Sequence, residues 1–226
     1  MSGSAAGEPT ALQHRVRARR FEILVAAQVL YLLLHPWFEA ERFGLSSATL
    51  LPSAIIIAAV YAVAETRRSL WFAAALAAVA LLGTWWEAES HAELPRVVGL
   101  AAETGLFVFG TVIIASEVFS GRTVGRDTLF GAIAIYGLLG FIWSSLYLIL
   151  EALVPGSFAI AEARAGNALW ADLLYFSFTA LTTTGFGDVA PANAAASSLV
   201  ILEYMTGVIY MAVIVARLVG LYSARQ

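Results

Sequence analysis

Apolar and polar residues alternate along this chain in long blocks. Six segments, at about 21–38, 47–64, 69–87, 96–119, 127–150 and 195–221, are apolar enough for membrane helices, and each is bounded by a polar or charged stretch. A helix needs roughly 20 such residues to cross the hydrocarbon core. A seventh apolar segment, about 168–181, is too short to span and predicts a re-entrant helix. The expected fold class is therefore all-α transmembrane: six transmembrane helices, with a re-entrant helix and loop between the fifth and sixth. No internal repeat, low-complexity stretch or long linker is visible. The residues after 221 are too few to fold, which leaves no room for an appended cytoplasmic ligand-binding or nucleotide-binding domain.

Composition strengthens this picture. Of 226 residues, 60% are hydrophobic and 13% charged, and the mean hydropathy is +0.81, far outside the soluble globular range. There is no cysteine, which excludes disulfides, iron–sulfur clusters and thiolate metal sites. His14, His35 and His91 are scattered, so no metal cluster is expected, and nothing points to an organic cofactor or to nucleic acid. No nucleophile, base and acid stand at a catalytic spacing, and no phosphate-binding loop is present, so an enzyme is not expected. The Arg-rich first twenty residues, followed by an apolar run from Phe21, superficially resemble a signal peptide. That run ends in Leu34-His35-Pro36-Trp37 without a small-residue cleavage site, which favours an uncleaved first helix.

Charge on the connections sets an orientation, because cytoplasmic loops carry the excess of Arg. With the N-terminus inside, Arg15, Arg17, Arg19, Arg20, Arg67, Arg68, Arg122, Arg126, Arg217 and Arg225 are inner, and only Arg42, Arg96 and Arg164 are outer. The acidic residues Glu39, Glu41, Glu87, Glu89, Glu93, Glu151, Glu162, Asp172 and Asp188 fall outside. Both termini are then expected in the cytoplasm of a multi-pass protein of the cell membrane. Trp37, Phe38, Trp71, Phe72, Trp85 and Trp86 lie where helix ends meet headgroups and read as interfacial anchors in the lipid bilayer.

Between the re-entrant segment and the last helix stands Thr182-Thr183-Thr184-Gly185-Phe186-Gly187-Asp188, followed by Pro191. Two glycines flanking an aromatic residue let the backbone run extended with its carbonyls turned to one side. Four such strands around an axis would make rings of oxygen able to replace the water shell of K⁺. The bland alternative is a Gly-rich turn in a Thr-rich loop. The motif is similar to the TVGYG filter of potassium channels, and from Asp127 onward the chain resembles the pore domain of bacterial tetrameric potassium channels. The implied parts are an outer helix, a Pro-Gly-Ser-Phe turret at 155–158, a pore helix, a filter and an inner helix to residue 221. The resemblance implies K⁺ ligation by the carbonyls of Thr183, Thr184, Gly185 and Phe186, with Gly187 closing the filter. It further implies a Thr183 hydroxyl facing the cavity, and Asp188 supporting the filter from behind at the outer mouth. The pore helix, Ala168–Leu181 with Asn167 as a plausible N-cap, would aim its C-terminal dipole at a central cation. Two positions depart from the family pattern. Thr184 replaces the usual valine and adds a hydroxyl that needs a partner, while Phe186 replaces the usual tyrosine and loses a hydrogen bond to the pore helix. K⁺ selectivity is expected to persist, with filter stability, and hence inactivation, placed in question.

Glu203 lies within the last span, and an ionisable group inside a membrane helix is a functional candidate. Roughly 14 Å along that helix at 1.5 Å per residue, it is expected level with the filter, protonated or bonded to Thr179, Thr182 or Thr184. The alternative is a side chain snorkelling toward lipid. Gly207, four residues on, is read as a gating hinge or, alternatively, as a close-packing contact. Val213, Ala216 and Val219 are candidates for a narrow apolar gate.

The fourth span carries Arg96 at its outer edge and Glu103 inside, with no further Arg before Arg122, so residues 21–120 match a voltage-sensor bundle in topology only. Glu103 reads as a helix contact, with a regulatory proton site as the alternative. The link 120–126 is too short for an amphipathic coupling helix. The resulting expectation is a homotetrameric potassium channel that is not voltage-gated by an arginine-bearing fourth helix. Three rivals stand beside it: a weakly selective cation channel, a non-conducting accessory subunit, and a potassium transporter with filter-like loops. The single unit with a double-glycine filter counts against the transporter.

Overall fold

In hydrocarbon every backbone N–H and C=O must find its partner within the protein, which makes the long apolar runs helical. The computed structural model describes residues 19–39, 55–62, 66–90, 93–120, 125–164 and 168–223. Its elements in order are α1 (Arg20–Glu39), a helical stretch α2 (55–62), α3 (Arg67–Ser90), α4 (Glu93–Ser120) and α5 (Arg126–Leu153). Then follow β1 (Phe158–Ile160), a 3₁₀ turn (Glu162–Arg164), α6 (Leu169–Leu181), β2 (Val189–Pro191) and α7 (Ala194–Ser223). Among the described residues, three helical segments are long and apolar enough to cross a membrane: Leu94–Ser120, Arg126–Leu153 and Ala194–Arg217. Helix α6, with 13 residues, is short and apolar. Most of the Arg-rich segment 1–20, part of the expected span 47–64, Asn167 and the last three residues of the tail lie outside the described residues.

Helix α5 is the hub, packing against α1, α4, α6 and α7, while α3 packs on α4. Leu24, Ile56, Leu106, Phe107, Ile135 and Leu138 belong to one buried cluster. Tyr147, Phe158, Leu173, Phe176, Val189 and Val200 form a second, around α6 and the two short strands. Lipid is as apolar as leucine, so such cores are held by close packing and hydrogen bonds rather than by exclusion of water. Small residues at the crossings serve that packing. A Cβ on Gly83 of α3 would lie 2.5 Å from the Cα of Gly99 in α4, and one on Gly140 of α5 would lie 2.5 Å from the Phe178 ring of α6.

Charged side chains gather at one end of the bundle. Arg20 pairs with Glu117, Arg126 with Glu22 at 3.5 Å, and Arg217 donates from Nε to the Val118 carbonyl at 3.2 Å. The Arg217 guanidinium also lies 5.3 Å from the Phe119 ring centroid. These contacts join the starts of α1 and α5 to the ends of α4 and α7. Glu103, half-buried in α4, stands apart from them. Trp71, Phe72, Trp85 and Trp86 are exposed, with Phe72 set edge-on to Phe109 at 4.9 Å.

The Gly83–Gly99 crossing gives a direct test. Gly83→Ala forces a methyl into backbone, so the bundle is expected to lose about 1–3 kcal/mol, read as a lowered thermal midpoint in detergent. An unchanged midpoint would show that α3 and α4 do not cross there.

Candidate functional site: the loop after the short helix

Helix α6 starts at an N-cap position occupied by Ala168, which has no capping side chain. At its other end the helix must dispose of carbonyls that have no helical partner. The following loop supplies the donors. Thr182 N–H reaches the Phe178 carbonyl at 3.1 Å, and Thr183 N–H the Ala180 carbonyl at 2.8 Å. Thr184 and Gly185 N–H both reach the Thr179 carbonyl, at 2.8 and 3.3 Å. Four successive amides are thereby turned back toward the helix. Among the described residues, no backbone amide donates to the carbonyls of Thr183, Thr184, Gly185 or Phe186.

Positive φ values occur at every second residue: 57° at Thr183, 54° at Gly185 and 80° at Gly187. Glycine adopts this region freely, but a β-branched residue there is strained. Strain of that kind persists only where surrounding bonds over-determine it, and it clusters at functional sites. Residues 182–187 are all exposed on the single chain, between buried Leu181 and buried Val189, and Phe186 is 69% exposed.

The threonines bond locally. Thr182 Oγ1 donates to the Phe178 carbonyl at 2.8 Å and lies 2.9 Å from Thr184 Oγ1. Since a hydroxyl has one hydrogen, Thr184 is the donor of that second contact. The extra hydroxyl at position 184 thus has its partner within the loop. Thr179 Oγ1 donates to the Phe176 carbonyl at 2.8 Å.

Glu203 is fully buried, which removes the snorkelling alternative. Its partners differ from the expected threonines. Oε2 meets the Tyr147 hydroxyl of α5, and Oε1 lies 2.6 Å from Ser177 Oγ of α6. Ser177 Oγ also lies 2.8 Å from the Gly140 carbonyl. The carboxyl therefore ties α7 to α5 and α6 about one turn before the loop, while Thr182 and Thr184 spend their hydroxyls locally. Tyr147 and Ser177 gave no sequence signal of this role; a polar residue in an apolar run was the one available hint.

Gly207 faces the point where α6 ends. A Cβ there would stand 2.1 Å from the Leu181 carbonyl oxygen, and α7 continues unbroken through this position. In this structure Gly207 is a close-packing contact between α7 and the end of α6. The Leu181 carbonyl also receives the Tyr136 hydroxyl at 3.3 Å. Val213, Ala216 and Val219 are exposed on the single chain.

Beyond the loop, β2 pairs antiparallel with β1 in the register Phe158↔Pro191, Ala159↔Ala190 and Ile160↔Val189. Ala161 N–H reaches the Asp188 carbonyl at 2.8 Å. The turn at 155–157 is held by Glu151, whose carboxylate accepts from Gly156 N–H at 2.7 Å and Phe158 N–H at 3.2 Å. Asn193 caps α7 by accepting from Ala196 N–H at 2.9 Å, and its amide donates to Ser157 Oγ at 2.8 Å.

Asp188 lies in a charged cluster that the sequence did not reveal. Arg164 donates from Nε to Asp172 Oδ1 at 2.7 Å and from a terminal nitrogen to Asp188 Oδ2 at 3.2 Å. Its guanidinium carbon lies 4.1 Å from the Tyr175 ring centroid. Tyr175 in turn donates to Asp188 Oδ1 at 3.4 Å and stacks on Phe186, with centroids 6.2 Å apart and planes 13° apart. Burial alone would lower the Arg164 pKa, but Asp172 and then Asp188 outweigh it and hold the pKa above its ordinary value. The guanidinium stays charged at any working pH.

Two substitutions test the packing behind the loop. Gly207→Ala meets a backbone carbonyl and is expected to cost about 1–3 kcal/mol of stability or more, seen as a lower thermal midpoint or loss of folded protein. Glu203→Ala strands the Tyr147 and Ser177 hydroxyls at a cost of about 1–3 kcal/mol, whereas Glu203→Gln, which keeps a donor and an acceptor, retains most of the stability. Equal stability of wild type and Glu203→Ala would remove the carboxyl from the scaffold.

Comparison with known proteins gives one match: residues 132–224 fit the family model described as ion channel. That region runs from α5 through the loop to the end of α7, and the match supports an ion channel. Neither the curated proteins nor the solved structures give a match.

Proposed function

We propose that the chain is a potassium-selective channel subunit, four copies of which surround one axial pore through which K⁺ moves passively. The observation that carries this reading is the loop backbone. Left-handed residues at 183, 185 and 187, with the amides of 182–185 bonded backward, form the pattern that lets successive carbonyls face one side. Those carbonyls, at Thr183, Thr184, Gly185 and Phe186, would be the K⁺ ligands. One strand supplies a quarter of each oxygen ring, so a closed four-fold assembly of identical chains completes the site. The exposed filter, and the exposed Ile201, Met205, Val208, Ile209 and Val213 on α7, are surfaces for the three other copies and for lipid.

Orientation follows the charges. The Arg-bearing end, with Arg20, Arg126 and Arg217, is opposite by topology to the end where β1, β2 and Asp188 lie. With six spans and the Arg-rich end in the cytoplasm, the filter exit faces outward. Helix α4 carries Arg96 and no regular series of arginines, so its motion in the field would not supply the gating charge of a voltage sensor.

Flux measurements on protein reconstituted in liposomes test this function. Uptake of K⁺ and Rb⁺ is expected to exceed that of Na⁺ and Li⁺, to be blocked by Ba²⁺, and to vanish in Gly185→Ala, where φ is 54°. Equal K⁺ and Na⁺ flux would point instead to a weakly selective cation channel, and no flux to an accessory subunit.

A further inference from the structure

We propose that Arg164 is a positioning residue of the filter, clamping its outer end through Asp188 and through Tyr175, on which Phe186 stacks. This inference rests on the potassium-channel reading for its functional consequence, though not for its geometry.

The three charged groups come from three separate segments: Arg164 from the 3₁₀ turn, Asp172 from the first turn of α6, and Asp188 from the residue after the loop. Asp172 is only 2% exposed. A carboxylate so buried is tolerated when paired and hydrogen-bonded, and the Nε contact at 2.7 Å supplies both. Arg164 is thereby fixed to α6, which itself is pinned by Ser177 and Glu203. The second arm of the guanidinium then reaches Asp188 at 3.2 Å, so the chain leaving the filter is tied to the helix entering it. Lysine has one compact ammonium where arginine has a planar fork, and it would lack the geometry to join both carboxylates while lying over Tyr175.

Tyr175 extends the clamp into the filter. Its ring takes the Arg164 guanidinium at 4.1 Å, its hydroxyl bonds Asp188, and it stacks with Phe186 at 6.2 Å. Phe186 has no hydroxyl with which to bond the pore helix, and stacking takes that place. Ring stacking restrains Phe186 against tilting but leaves it free to slide in its plane. The ion pair at Asp188, two residues on, removes that freedom. Loss of Arg164 would therefore loosen the outer end of the loop and, with it, the amides of 182–185 that bond back to α6, while α6 stays in place.

The test separates positioning from folding. Arg164→Gln/Asp172→Asn removes the pair without leaving a buried charge, and Arg164→Lys keeps the charge but not the fork. Amide hydrogen exchange is measured on full-length protein in detergent or liposomes. Exchange across 182–188 is expected to rise at least about tenfold in the double variant, with α4 and α5 unchanged. In the flux assay the K⁺ over Na⁺ ratio of that variant falls toward equality. Wild-type exchange at 182–188 in the folded double variant would overturn the clamp. Should the double variant fail to fold, Arg164→Lys decides: faster exchange supports the clamp and unchanged exchange overturns it. A wild type that carries no K⁺ sinks the channel reading instead, and hydrogen exchange still decides the clamp.

Discussion

A helix that stops inside a membrane protein must give partners to its last carbonyls, and this requirement governs the region after α6. There is no water in hydrocarbon to take them. Residues 182–185 bend their amides back to Phe178, Thr179 and Ala180, and in doing so commit their own carbonyls away from the helix. Left-handed backbone at Thr183, Gly185 and Gly187 is the conformational consequence. Bonding at the helix end thereby leaves the carbonyls of Thr183 to Phe186 without a backbone donor among the described residues, the feature on which the proposed ion coordination draws.

Such a strained strand persists only when it is held from several directions. Gly207 lets α7 approach the Leu181 carbonyl, Tyr136 bonds the same oxygen, and Glu203 joins α7 to Tyr147 and Ser177. Farther out, the β1–β2 pair and the Arg164 cluster grip residues 188–191. Around α6 the buried polar side chains are bonded, Glu203 with Tyr147 and Ser177, and Asp172 with Arg164, because a buried polar group left unpaired costs free energy. The charges at the opposite end do different work, joining α1, α4, α5 and α7 near Glu117 and Val118. This gives α7 a direct contact with α4.

The sequence alone determined the helical blocks, the short apolar helix and the filter-like heptad, since each depends on local hydropathy or on local backbone freedom. Helices α5, α6 and α7 fall within a few residues of the segments read from hydropathy. It also singled out Glu203, because a carboxyl stands out against apolar neighbours. Only the tertiary structure decided what that carboxyl touches: Ser177 and Tyr147 are 26 and 56 residues away, and no periodicity links them. The same holds for the packing of Gly207, whose neighbour, the Leu181 carbonyl, would lie 2.1 Å from an added Cβ and is 26 residues away in sequence. Asp188 was expected to support the loop, but its pairing with Arg164, and through Arg164 with Asp172, was not legible, because an ion pair between separate segments leaves no trace in the composition of any one of them. Local physics wrote the elements and the Thr- and Gly-rich loop into the chain; the partners that hold that loop depend on distances that exist only after folding.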